Sequence, residues 1–410
     1  MNKQRAGVWV LMVGSLLMGG CAAELSSWHE PVNEYKKIDY QTASFSDYIS
    51  QMRAMIQQHN PRADVQTGAG LSVLDAVSPF DWEPDADCTG EGTKKGVLLI
   101  HGLSDSPFLM RDVGKFLLEH CYWVRSLLLP GHGTVPGDLL EVHVDEWVEA
   151  TAFGIRRFAQ DVDQLTVAGF STGGALALNY VLSRPEEAPE VDALVLFSPA
   201  IRINPRFAFM SPRLNQLGTL IPRLQWVQVL NDDDLVKYES LTMNAGAQIY
   251  TLTQRLGALQ EDTLVPVPVY MAAAVEDTTI DAHATETFFK YRTNGQSILR
   301  LYQGHAEPQL MASSSEVAPV SVLSQSHVSI PVHPQNGHYG EKGQYINCLH
   351  YFSGEPDQYA TCLEQGKVPY FYGENTKDNQ RRGVLRRLTW NPEFDSMMEE
   401  VVLFLSAHTE

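Results

Sequence analysis

The chain is poor in cysteine and in positive charge. Its five cysteines are spread over 410 residues, with no C-x-x-C pair, so the usual thiolate zinc frameworks are excluded. Lysine and arginine number 30 against 49 aspartates and glutamates, a formal net charge of -19. That balance excludes nucleic acid as a partner and excludes adhesion to anionic membranes through a basic patch. Long apolar runs are missing as well. The longest, at residues 8–18, is too short to span a bilayer by itself. There is no internal repeat and no low-complexity tract, which excludes solenoids and linker-dominated architectures. No metal-ligand spacing occurs, and neither a metal nor an organic cofactor is expected. What remains is a globular composition, 44% hydrophobic and 19% charged, long enough for one large core or two modest ones.

The N-terminus has the form of a targeting segment. Lys3 and Arg5 precede the apolar run, and Gly19-Gly20-Cys21 follows it. Leu17-Met18-Gly19-Gly20-Cys21 resembles a bacterial lipoprotein cleavage box, with Met18 where leucine is usual. The resemblance implies removal of residues 1–20 and acylation of Cys21, with several chains anchoring the protein stably. Ala22 then implies outer-membrane sorting, with the protein lipid-anchored in the cell envelope and facing the periplasm. An ordinary signal peptide cut elsewhere, or an uncleaved anchor, is the alternative. Four cysteines remain, an even count that points to two disulfides in an exported protein. Three pairings are possible. Cys88–Cys121 and Cys348–Cys362 are favoured, the second closing a loop worth about 3 kcal/mol in the chain-entropy model.

Along the chain, residues 24–45 are polar and mixed and read as a tether. Residues 45–59 suit a helix, and from Gly96 strands and helices alternate. Continuous apolar runs at 96–100, 123–129, 165–168 and 191–197 suit strands buried on both faces. Residues 143–160 carry apolar side chains at helical spacing. The rhythm breaks at 200–264, which shows no clear strand and reads as an inserted cap. It resumes with a strand at 266–271, a helix at 282–291, a strand at 298–302 and a terminal helix opened by Asn391-Pro392. The alternation implies an α/β fold, a mostly parallel central sheet flanked by helices. The organisation is a signal peptide at 1–20, a lipidated tether and helix at 21–60, a core at 61–199, a cap at 200–265, and a second core part at 266–410 with a disulfide-containing insertion near 335–385.

Gly169-Phe170-Ser171-Thr172-Gly173 reads G-x-S-x-G between a strand run and a helix run. That context makes it a nucleophile elbow, with a serine hydroxyl raised above the sheet. Ser171 needs a base, and the base an orienting acid. Asp277, in the turn after the strand ending near Ala273, best fits the acid, with Glu276 and Asp281 as rivals and a helix N-cap as its alternative role. For the base, position leaves His327 and His305 nearly even. His333, His338 and His350 read as surface or loop residues, and Asp232-Asp233-Asp234 as a solvated cluster. The oxyanion hole falls to the backbone N–H groups of Thr172 and Leu103. His101 reads as a brace for the loop, without a role in proton transfer.

His101-Gly102-Leu103-Ser104-Asp105-Ser106-Pro107, Pro130-Gly131-His132-Gly133-Thr134, the Ser171 elbow and Val275-Glu276-Asp277-Thr278-Thr279-Ile280 together resemble bacterial α/β-hydrolase carboxylesterases and monoacylglycerol-lipase-like enzymes over residues 95–330. Ser326-His327 resembles the catalytic histidine segment of exported members, which selects His327 over His305. The resemblance implies an α/β-hydrolase fold and a Ser171–His327–Asp277 triad cleaving carboxylic esters through an acyl-enzyme, with a small-molecule acyl ester or lipid-like compound as substrate. A peptidase or amidase with the same triad, and a non-catalytic binding module, are the alternatives. The chain departs from the compact pattern after His327, where roughly 60 extra residues, with Cys348 and Cys362, precede the last helix.

Overall fold

A computed structural model describes residues 24–85, 88, 92–183, 188–204, 222–260, 263–304, 309–310, 321–352, 354–364 and 370–408. Cys21 and His305 lie outside the described residues, as do 205–221 of the expected cap. The main sheet contains β1 (Asp81–Trp82), β2 (Lys95–Ile100), β3 (Trp123–Leu127), β4 (Gln164–Phe170) and β5 (Ala193–Phe197). After a short hairpin of β6 (Trp226–Gln228) and β7 (Leu241–Thr242), β8 (Val269–Ala274) and β9 (Ile298–Tyr302) complete it. Its order is β1-β3-β2-β4-β5-β8-β9. All pairs are parallel except the short antiparallel edge of β1 on β3. Every residue of β5 and β8 is buried. A strand covered by helices on both faces cannot alternate, which is why these segments read as continuous apolar runs.

The helices are α1 (Phe45–His59), α2 (Val73–Val77), α3 (Arg111–Glu119), α4 (Val144–Phe158), α5 (Thr172–Ser183), α6 (Met243–Gln260), α7 (Ala282–Arg292), α8 (Leu349–Phe352), α9 (Pro356–Leu363), α10 (Lys377–Gln380) and α11 (Phe394–His408). Two groups cover the sheet: α4, α5 and α6 pack on one another, and α11 packs on α3 and β5. The second half of the 200–264 segment is thus α6, a helix of the main body, and before it residues 226–242 form the β6–β7 hairpin that the sequence does not announce. Among the described residues no helix is long and apolar enough to cross a membrane.

A second, four-stranded sheet has the order β10 (Gln309–Leu310), β11 (Ser321–Val322), β12 (Phe371–Gly373) and β13 (Leu385–Arg387). Both expected disulfides form: Cys88–Cys121 bridges the approach to β2 with the turn before β3, and Cys348–Cys362 links the segments of α8 and α9. The 335–385 insertion is therefore not an appendage. It supplies β12, which pairs directly with β11.

The tether expected at 24–45 is packed instead. Tyr35, Tyr40 and His29 are buried, His29 meets Trp226 edge to face, and Asp138 accepts the backbone N–H groups of Val32 and Asn33 at 2.7 Å. Aromatic residues spaced through a polar segment gave it enough apolar area to dock.

Candidate active site

Ser171 stands between the end of β4 and the start of α5 with φ 50°, the left-handed region that costs a non-glycine residue energy. The bend is possible because its flanks are bare. A Cβ on Gly169 would lie 2.4 Å from the Gly173 carbonyl carbon, and one on Gly173 only 2.1 Å from the Ile100 carbonyl oxygen. The Ser171 N–H donates to the Phe197 carbonyl of β5, fixing the elbow to the sheet.

Asp277 follows β8. Its Oδ1 accepts the N–H groups of Thr279 and Ile280 at 2.7 and 3.0 Å. Its Oδ2 lies 2.6 Å from Nδ1 of His327, and Nε2 of His327 lies 3.0 Å from Oγ of Ser171. The three side chains thus form one hydrogen-bonded chain at the carboxyl ends of the strands, where open parallel sheets place their sites. The rivals are occupied elsewhere. Asp281 caps α7 through Ala284 and pairs with Arg202, and Glu276 accepts the Gly304 N–H. The N-cap role considered for Asp277 therefore belongs to Asp281. His327 does not come from the main sheet: it follows β11 of the small sheet.

Two buried histidines shape the loop opposite. His101 accepts the Leu129 N–H at Nε2 and donates from Nδ1 to the Gly102 carbonyl. His132 accepts the Ser104 N–H at 3.0 Å, holding Ser104 at φ 62°. Burial drives both imidazoles towards the neutral form: His101 falls well below its ordinary pKa and His132 to about 4. His101 braces the loop, as the sequence implies. Among the described residues, the N–H groups of Leu103 and Thr172 have no hydrogen-bond partner. Next to this loop, Asp105 is buried against Lys237 at 3.3 Å, and burial raises its carboxyl pKa despite that partner.

The structure corrects two readings of the sequence. Asp232 and Asp234 are buried, not solvated: Asp232 accepts the N–H groups of Glu239 and Ser240 and the Ser240 hydroxyl, while Asp234 accepts from Tyr339. His338 is buried as well, 2.9 Å from Asp234. Carboxylates that gather several donors are stable inside a protein, where isolated ones are not. The sequence also passed over Glu374 and Arg387. Glu374 is fully buried, accepts the His327 N–H and pairs with Arg387 at 2.9 Å. A carboxylate directly after the apolar Phe371-Tyr372-Gly373 was the available signal. Cavity size does not locate the site: a groove of about 740 Å³ runs along β9 and α11 and is lined by none of the three residues.

Fold and elbow together define an α/β-hydrolase. The chain belongs to the Hydrolase_4 family, serine aminopeptidase S33, whose pattern matches residues 91–306. It is similar to the thermostable monoacylglycerol lipase of Bacillus sp. (strain H-257), 31% identical over 131 residues, 32% of this chain and 48% of that one. It is also similar to the carboxylesterase of Bacillus subtilis (strain 168), 28% identical over 91 residues, 22% and 37% of the two chains. The chain thus spans less than half the length of either relative. Among solved structures, the monoacylglycerol lipase of Paleococcus ferrophilus aligns with a TM-score of 0.43 at 18% identity, over 55% of this chain and 88% of that one.

Proposed function

We propose that this protein is a serine hydrolase that cleaves carboxylic esters through an acyl-enzyme at Ser171. One observation carries the reading: the hydrogen-bonded chain from Ser171 through His327 to Asp277 at a strained elbow. Nε2 of His327 takes the hydroxyl proton as Oγ attacks the ester carbonyl. Asp277 accepts from Nδ1–H, holds the ring in that tautomer and stabilises the imidazolium. The N–H groups of Leu103 and Thr172, without a hydrogen-bond partner among the described residues, receive the oxyanion. His327 then gives its proton to the departing alcohol, and water, activated by the same nitrogen, releases the acid. The names of the two Bacillus relatives support esters as the substrate class, small acyl or lipid-like. The family's description as serine aminopeptidases favours a second reading, hydrolysis of aminoacyl amides.

The test is fluorophosphonate labelling read by intact mass. A single adduct on the wild-type protein and none on Ser171→Ala is expected; a folded wild-type protein without an adduct would overturn the mechanism. Acyl esters compared with aminoacyl amides then decide the substrate class. We further propose that Cys21 carries a lipid that holds the protein in the cell envelope, on the outer membrane facing the periplasm. The residues before Cys21 support the anchor, and Ala22 after it supports the outer membrane. Partition of Cys21→Ser out of the detergent phase is the expected result, and retention there would refute the anchor.

A further inference from the structure

His327 is the one member of the chain of three that the main sheet does not supply. Its position depends on what holds the loop after β11. That loop meets Glu374, the residue just beyond β12. Glu374 Oε2 accepts the His327 backbone N–H at 2.9 Å, and Oε1 accepts the Thr278 hydroxyl at 3.0 Å. Thr278 is the neighbour of Asp277. One carboxylate therefore grips the base loop with one oxygen and the acid turn with the other.

The grip is itself anchored. Arg387, at the end of β13, donates from Nε to Oε1 at 2.9 Å and from Nη2 to Oε2 at 3.0 Å. The same Nη2 reaches the Thr279 hydroxyl at 3.0 Å. The Arg387 N–H is bound to the Asn347 carbonyl, one residue from the Cys348–Cys362 bridge. Burial works to raise the Glu374 pKa, but the Arg387 charge and the N–H donors outweigh it and hold the carboxyl below its ordinary value. A charged carboxylate, fully buried and spending both oxygens on two catalytic turns, is costly to place inside a protein unless every lone pair is used. Here the partners are a charged fork, two backbone N–H groups and a hydroxyl.

We propose that Glu374 is a positioning residue for the hydrolysis assigned above, setting the distance between His327 and Asp277 by holding both turns at once. The proposal rests on that assignment for its chemistry but not for its test. Glu374 touches no reacting atom. It acts through the register of the His327 loop, where a displacement near 1 Å costs on the order of 10²-fold in rate.

The experiment compares three variants of the full chain. Glu374→Met with Arg387→Met removes the buried pair without stranding a charge and leaves the His327 N–H without its acceptor. Glu374→Gln with Arg387→Met also removes the pair but restores that acceptor. Glu374→Asp keeps the charge opposite Arg387 but shortens the reach by one methylene, and stands in should either double variant fail to fold. With a short-chain p-nitrophenyl ester, the Met pair and Glu374→Asp are expected to lose about 10- to 100-fold in kcat with KM within about threefold. The Gln pair is expected to recover most of that loss at a similar melting temperature. Wild-type kcat in the Met pair or in Glu374→Asp, or equal losses in the Gln and Met pairs, would overturn the proposal.

Fluorophosphonate labelling rates at Ser171 are read in parallel. If the wild-type protein labels but turns over no ester, the ester reading fails and the labelling ratios still decide Glu374. If it does not label, the low-field imidazole proton of the His327–Asp277 hydrogen bond decides. Its loss in Glu374→Asp is expected, and its persistence unchanged would overturn the proposal.

Discussion

The main sheet and the small sheet hold their parts of the site by different forces. The main sheet presents Ser171 and Asp277 from strands of five to seven residues, nearly all buried and apolar. Its positions are set by packing, which is stiff because a close-packed interior resists displacement. The small sheet presents His327 from strands of two and three residues. So little ladder cannot fix a loop, and polar pins take over: Glu374, Arg387 and the Cys348–Cys362 bridge. One half of the site is therefore robust to loss of any single hydrogen bond, while the other depends on a few.

The largest effect should come from the stiff half. Ser171→Ala is expected to lower kcat on the order of 10⁴- to 10⁶-fold with the urea midpoint almost unchanged. The two disulfides divide the halves more sharply. Removing Cys88–Cys121 by serine substitution is expected to cost about 4 kcal/mol of unfolding free energy and to leave kcat nearly intact. Removing Cys348–Cys362 is expected to cost about 3 kcal/mol and to lower kcat as well, because the segment anchoring Arg387 loosens. Equal kcat in the two variants would erase the distinction.

Acid should attack the packed half through its buried histidines. The folded pKa of His132, about 4, lies below the ordinary value of 6.5. A depressed histidine adds stability that is present above pH 6.5 and is lost as pH falls towards 4. Urea unfolding is expected to show a loss of ~3 kcal/mol across that window, and His132→Gln should flatten it. The smallest effect belongs to the seam. Thr278→Val removes one hydroxyl bond to Glu374 and is expected to cost about 1 kcal/mol, measured by the urea midpoint, with a modest fall in kcat.

The same contrast explains what could be read from the sequence. The elbow, the strands around it and Asp277 were legible because long apolar runs and glycine-flanked turns are local signals. Strands of two or three residues have no period to read, so β12 and β13 passed unnoticed, and with them Glu374. Asp234 looked like part of a solvated run because Tyr339, which donates to it, lies 105 residues away; the donors to Asp232, on Glu239 and Ser240, are near in sequence but carry no periodic signal. His338 was misjudged for the same reason as Asp234. His327 needed more than position, since its strand belongs to a sheet whose other members come later in the chain.

The packed N-terminal segment has a geometric consequence. With Cys21 lipidated as proposed, only the residues before Ser27, where the first helical turn begins, separate the acyl chains from the folded body. At full extension that leash is roughly 20 Å. The body cannot wander through the space beyond the bilayer. It stays within about one domain radius of the lipid headgroups, so the substrates it meets are those that dwell at or diffuse along that surface.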